Sequence, residues 1–564
     1  MLFEEFTYQR PDIDSFTEKF QNYLVEFEKA SDFESHESAF MRLNELRMEF
    51  MSMYNICHIR HTMDTNDKFY EEENAFFDTQ MPQYENLTSQ FYQSLIHSGF
   101  KERLKEKWGQ QLFVLAEQQL KTFKPEILED LVEENLLSSE YTRLKASAKI
   151  RFNGQEYNLS SIHIPETSKD RSIRKAASES KWQFFETHKE QFDDIFDKLV
   201  KTRHRIAKKL GYKNFVELGY ARMQRTDYTP EMVAKFRDQV KEYIVPIASA
   251  LYERQVKRLG LDSFCHFDED YKFTSGNPEP KGTPEWILDN AGKMYAALAP
   301  ETDTFFKFMR QNNLMDLVTR PGKATGGYCT YIGKYKAPYI FSNFTGTSAD
   351  IDVLTHEAGH AFQVFSSRDI GLNEYNWPTY EACEIHSMSM EFFTWPWMDL
   401  FFKEDSDKYK FAHLAASMTF LPYGVAVDEF QHFVYENPEV TPAERNAAWK
   451  AIEAKYLPHR DYDDNTFLKE GGFWQKQSHI YVSPFYYIDY TLAQVCAFQF
   501  WQKDRQDHKK AWKDYLNLCK LGGSKPFLEL VEEANLQSPF EEGGIRSVVY
   551  SIRDWLNGVD DSTF

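Results

Sequence analysis

Apolar residues recur at spacings of three and four along most of this chain, the period of an amphipathic helix. After Pro11, Phe16, Phe20, Tyr23, Leu24 and Phe27 form one stripe, behind Ser15-Phe-Thr-Glu18, which has the form of a capping box. Phe40, Leu43, Leu46, Phe50, Met53, Tyr54 and Cys57 form the next, and helical patterns continue to about residue 145, predicting an N-terminal helical bundle. The period breaks at Ile150–Leu159, where Asn153-Gly154 between alternating apolar residues predicts a two-residue hairpin. That break sets the expected division, an N-terminal helical domain over 1–165 and a second domain over 166–564. Helical spacing resumes at Asp170, and the breaker-rich stretch Gly276–Pro284 reads as a surface loop. Gly326–Ile332 and Ala337–Phe344, rich in aromatic and β-branched residues around Gly333-Lys-Tyr-Lys336, predict two strands. Thr347 and Asp350 then open a helix whose apolar side is Ile351, Leu354, Ala358, Phe362 and Phe365. Helices dominate again beyond residue 400, interrupted by a long polar loop to Gly471-Gly472, a candidate hinge or a passive connection. The expected fold class is mainly α with a small β-sheet.

Bulk properties narrow the function. The 564 residues carry 66 basic and 87 acidic side chains, a net charge of −21, which argues against binding nucleic acid or an anionic membrane. Six cysteines are scattered singly, so neither a disulfide framework nor a thiolate metal site is indicated, and a reducing cytoplasm is the expected location. Met1-Leu-Phe-Glu-Glu places acids where a signal peptide carries bases, and no apolar run approaches the ~18 residues of a membrane span.

The chemistry concentrates in Thr355-His-Glu-Ala-Gly-His-Ala361. On a helix, His356 and His360 share a face and can grip one metal ion, with Glu357 beside them to take a proton from water, the arrangement of a zinc peptidase. Gln363 and Ser366 stand where a metzincin carries glycine and a third histidine, so the third ligand comes from elsewhere. The helical segment Tyr380–Glu391 offers Glu381, Glu384 and His386, all chemically able to ligate. Asp352, one turn before His356, and Glu381, one turn before Glu384, are candidates to orient the ligand imidazoles, or else ordinary solvated carboxylates. His58 and His61, with no carboxylate pattern near them, read as surface or packing histidines.

Glu384-x-x-Ser387-x-x-x-Glu391 resembles the corresponding segment of the M3 oligopeptidases, the family of thimet oligopeptidase and oligoendopeptidase F, and Lys201–Tyr212 resembles the Arg-x-x-x-Ala-x-x-x-Gly-Tyr stretch that opens their catalytic region. The basic residues of the latter are otherwise read as a solvated helix face. The resemblance covers most of residues 200–560 and weakly the N-terminal bundle. It implies one Zn2+ per chain, held by His356, His360 and Glu384, in a two-lobed helical zincin (gluzincin) fold around a deep channel. It also implies oxyanion-binding groups from His479, Tyr486 and Tyr490, with Tyr487 or Tyr481 as alternatives to Tyr486, and substrate contact by the strands before the metal helix. The expected activity is oligoendopeptidase cleavage of short peptides. A carboxypeptidase or dipeptidyl carboxypeptidase on a related fold, or a binding protein that retains metal without catalysis, are the alternatives.

Overall fold

The computed structural model describes residues 1–320 and 322–564. Its first helices, α1 (Ile13–Lys29), α2 (Phe33–Met63) and α3 (Lys68–Ile96), pack on one another through the stripes read above, with Phe20, Phe27, Phe40, Leu43 and Ile56 almost fully buried. The cap of α1 lies earlier than the Ser15 box: Asp12 is the N-cap and accepts from the Ser15 amide at 3.0 Å. After α4 (Leu128–Ala146) come β1 (Ile150–Phe152) and β2 (Gln155–Tyr157), an antiparallel hairpin turned by Asn153 and Gly154, both at positive φ. The hairpin covers a small core of its own, formed by Ile150, Phe152, Ile162 and Ala177. A single larger apolar core runs from Phe3 to Leu556. The described helices form two lobes facing each other across a cleft of about 740 Å³.

Strands β3 (Met315–Val318), β4 (Tyr328–Ile332) and β5 (Ala337–Phe344) form a sheet in the order β3-β5-β4, parallel on one side of β5 and antiparallel on the other. β4 is therefore an edge strand, and Gly327, Tyr328 and Cys329 line the cleft. Helix α2 steadies it: Asn55 donates to the Tyr331 carbonyl at 2.8 Å, and Thr62 and Tyr328 share a 2.6 Å hydrogen bond. The two sides of the cleft also meet where Arg47 of α2 and Tyr92 of α3 converge on Glu374, the tyrosine at 2.8 Å.

Gly471 and Gly472 do not have the surroundings of a hinge. A Cβ on Gly471, whose φ is +96°, would lie 2.1 Å from the Asn446 carbonyl oxygen, and one on Gly472 would enter the Phe467 ring, so both glycines permit close packing.

The solvated-face reading of residues 201–212 fails at Arg203. Within α5 (Lys189–Lys209) this side chain is 1% exposed and donates to Glu134 of α4 at 2.6 Å, to the Tyr435 hydroxyl at 2.8 Å and to the Tyr481 carbonyl. The helical period of α5 turns Arg203 inward with Leu199 and Ile206, and Glu134, which Arg222 also contacts at 2.9 Å, gives the charge a partner. Arg203→Met is therefore expected to cost about 3 kcal/mol, the low end for breaking a buried pair because Arg222 remains on Glu134. A urea midpoint equal to that of the parent protein would show that this network contributes nothing.

Candidate metal centre and active site

Helix α6 (Ala349–Ser367) buries Ile351, Leu354, Ala358 and Phe362 completely and turns His356 and His360 to the cleft. It begins at Ala349, and Asp350 instead ties down the preceding loop by accepting from the Thr345 and Gly346 amides, each at 2.8 Å. Helix α7 (Tyr380–Phe393) lies against α6 at unusually short range. A Cβ on Gly359 would come within 2.6 Å of the His386 carbonyl oxygen and the Ser387 Cα, so only glycine lets the two backbones meet here.

That contact brings Glu384 under both imidazoles: its Oε2 lies 3.2 Å from His356 Nε2 and 3.4 Å from His360 Nε2. One ligand atom from each residue falls within 4.8 Å of the others. Two imidazole nitrogens and a carboxylate converging at an open cleft fit a zinc ion with a free position, since lone pairs facing one another this closely favour a cation among them. Ser387 donates to Glu384 Oε2 at 2.9 Å and the Tyr486 hydroxyl to Oε1 at 2.7 Å, and both hydrogen bonds stabilise its anion. Of the three candidates on α7, Glu384 alone reaches the histidines. His386 is fully buried with neither ring nitrogen hydrogen-bonded among the described residues.

The groups that orient His356 differ from those expected. Its Nδ1 donates to Glu391 Oε1 at 2.7 Å, and Glu391 Oε2 accepts from His413 Nε2, also at 2.7 Å. The Trp395 indole donates to His413 Nδ1 at 3.2 Å, which leaves the His413 proton on Nε2, facing Glu391. The chain of bonds thus places the His356 proton on Nδ1 and frees Nε2 for a metal. Asp352 does not bond a ligand imidazole; it accepts from the Tyr409 hydroxyl, because His356 Nδ1 points across to α7 rather than back along α6. Glu381 is also a correction: three residues before Glu384 it faces away from the imidazoles, 0% exposed, with neither oxygen hydrogen-bonded among the described residues. Burial, with Asp489 nearby, raises its pKa well above the usual range. Glu391 was legible as a letter of the α7 motif, two turns beyond Glu384; His413, on α8 (Ser406–Glu436), left no signal in the sequence.

Glu357 is 8% exposed, and its Oε2 has no hydrogen-bond partner among the described residues. Burial raises its pKa, which suits a group that must take and return a proton. Across the cleft stand Tyr486 and Tyr490, just before and on α9 (Tyr487–Gln506), with His479 behind them on the short helix Ser478–Val482. The Gln477 amide donates to His479 Nδ1 at 2.8 Å while its oxygen accepts from the Tyr423 hydroxyl at 2.8 Å, so His479 carries its proton on Nε2, 3.5 Å from the Tyr490 hydroxyl. Burial lowers the His479 pKa to about 4, leaving a neutral N–H donor at ordinary pH. Tyr481 is removed from consideration: it is 0% exposed and stacked on Tyr141 at 3.9 Å. The Tyr487 ring meets His479 edge-on at 5.0 Å.

A helical two-lobed shell with this donor set facing an open cleft defines the class of helical metallopeptidases. Residues 3–123 match the peptidase M3 N-terminal domain, and residues 166–280 and 295–550 match peptidase family M3, so the chain belongs to that family. PZ peptidase A, solved with an inhibitor, is 60% identical and superposes with a TM-score of 0.97 over 99% of this chain and 100% of its own. A provisionally named oligoendopeptidase F from Bacillus anthracis is 54% identical, with a TM-score of 0.93 over 100% of this chain and 99% of its own. A curated oligoendopeptidase F homologue from Borreliella burgdorferi is 24% identical over 374 residues, 64% of this chain, and the match spans 60% of that relative's length.

Glu391→Gln is expected to weaken divalent-metal binding by roughly 10- to 100-fold, as loss of a ligand-orienting carboxylate does, whereas Asp352→Asn changes it far less. Metal titration of the two variants ranks them, and the opposite order would return Asp352 to the orienting role.

Proposed function

We propose that the chain is a zinc-dependent oligoendopeptidase that hydrolyses internal bonds of short, unstructured peptides. The observation that carries this is the placing of Glu357, buried and with a free oxygen, beside the convergent His356, His360 and Glu384 and next to the open edge of β4. A Cβ on Gly327, just before β4, would lie 3.6 Å from Glu357 Oε1, so a peptide paired along this edge runs past the carboxylate. A zinc ion held by the three ligands supplies a Lewis acid that polarises the scissile carbonyl and acidifies water. Glu357 takes the proton from the attacking water and delivers it to the leaving amine. Tyr490, with the neutral His479 N–H beside it, donates to the oxygen on which charge develops. Tyr486, whose hydroxyl is committed to Glu384, steadies a ligand instead. The cleft, of about 740 Å³, is bounded on its far side by Arg47, Tyr84 and Tyr92, which favours short peptides over folded chains.

We read the chain as two domains, 1–165 supplying that far wall and 166–564 supplying the chemistry, with the hairpin near the division. No described helix is long and apolar enough to cross a membrane, and six free cysteines favour the cytoplasm.

Glu357→Gln is expected to keep metal bound and to abolish most turnover, since the ligands persist and only the proton acceptor is lost. Metal analysis beside peptide assays checks it, and loss of metal would undo the assignment. Tyr490→Phe removes one hydroxyl and is expected to lower kcat ~100- to 1,000-fold with KM nearly unchanged. Unchanged kcat in Tyr490→Phe, with turnover crippled in Tyr486→Phe, would transfer the oxyanion role to Tyr486.

A further inference from the structure

Phe485 stands immediately before Tyr486 with φ at +68°, in the left-handed region that a bulky side chain rarely adopts. Such a conformation costs free energy and persists only where its surroundings enforce it. Three groups do so here. The Phe485 amide donates to the side-chain oxygen of Gln431, on α8, at 2.7 Å. The Phe485 carbonyl accepts from Nη2 of Arg225, which lies just past the short helix Phe215–Arg222. The Phe485 ring is fully buried and packs so closely on that helix that a Cβ on Gly219 would come within 2.5 Å of it.

The same Arg225 nitrogen also donates to Asp489 Oδ1 at 2.6 Å. Asp489 lies in the first turn of α9, three residues after Tyr486 and directly before Tyr490. One guanidinium nitrogen therefore ties the carbonyl that precedes the first active-site tyrosine to the acid that precedes the second. The Arg225 side chain is fully enclosed, 4.4 Å from the centre of the Tyr220 ring, and its chain neighbour Gln224 lines the cleft. Glu381 lies within electrostatic reach of the same guanidinium, but among the described residues neither of its oxygens is hydrogen-bonded, so Asp489 is the acid that fixes the direction of Arg225.

These ties govern where two hydroxyls stand. Tyr486 places its hydroxyl on Glu384, and Tyr490, its ring 4.9 Å from that of Tyr486, has its hydroxyl beside His479. An ordinary φ at Phe485 would redirect the chain as it enters α9, and both rings with it. A donor to a developing oxyanion acts only when its hydrogen is held within bonding distance of the charge, so its placing matters more to the transition state than to bound substrate.

We propose, on the peptidase reading above, that Arg225 is a positioning residue for the reaction: through Phe485 and Asp489 it holds the start of α9 in the setting from which Tyr490 reaches the oxyanion.

The test uses the intact metal-loaded enzyme, a short peptide substrate, and Arg225→Lys alone and combined with Tyr490→Phe. Lysine keeps the positive charge, but its shorter side chain lacks the planar fork that reaches both acceptors. Arg225→Lys is expected to lower kcat ~10- to 100-fold, the scale of a small misplacement of a catalytic group, with KM nearly unchanged and metal content intact. In the Tyr490→Phe background the same substitution is expected to lower kcat by less than about threefold, because the hydroxyl that it misplaces is already gone. Gln431→Met removes the other tether of Phe485 without disturbing a buried charge; it is expected to show the same loss and the same coupling, and it decides the question if Arg225→Lys does not fold. Unchanged kcat in the folded variant, or an equal loss in both backgrounds, overturns the positioning role and leaves the peptidase reading standing. Unchanged kcat in Tyr490→Phe alone overturns the oxyanion assignment and the positioning role together, and a parent enzyme that cleaves no peptide overturns the peptidase reading itself.

Discussion

The close approach of α6 and α7 at Gly359 is the constraint from which the active centre follows. With a side chain there, the helices would have to separate, and the Glu384 oxygen now 3.2 and 3.4 Å from the two imidazole nitrogens would move off with α7. The same approach lets Glu391, two turns along α7, reach the far nitrogen of His356. One glycine thus sets both how Glu384 meets the two imidazoles and the tautomer of His356. Enforcing it takes a rigid surrounding, and the fully buried faces of both helices provide one.

Around this pair the protein arranges polar groups so that each hydrogen has one available acceptor. Trp395 donates to His413, and His413 and His356 both donate to Glu391, while Tyr423, Gln477 and His479 form a second, directed chain. The first ends in a free nitrogen, suited to a metal, and the second ends in an N–H, suited to a developing anion. Buried polar networks hold their sense because reversing any member would leave an unsatisfied group in a low dielectric. Long-range packing supports both: α8 carries Tyr409, His413 and Tyr423 past the active centre, and α2 braces the edge strand from the opposite lobe.

Several buried arginines of the interior are held by acids from distant elements: Arg203 has Glu134, Arg225 has Asp489 at 2.6 Å, and Arg174 has Asp268 at 2.9 Å. Each pair compensates a charge in low dielectric and fixes how two elements meet.

The sequence by itself determined the helical class, the hairpin at Asn153-Gly154, the strands before the metal helix and the His356-Glu357-x-x-His360 motif, because these are local: periodicity, turn chemistry and i,i+4 spacing act within a few residues. It left Glu381, Glu384 and His386 as candidates for a third ligand, with only the family resemblance pointing to Glu384. Asp352 and Glu381 it left open between orienting an imidazole and facing solvent, and it read Arg203 as a solvated base, since proximity along a helix does not say which way a ring nitrogen or a buried face points. The roles of His413 and Gln477 were decided by tertiary structure alone. His413 lies 22 residues from Glu391 and Tyr423 lies 54 from Gln477, on different elements, and only the packing of α8 against its neighbours brings them together.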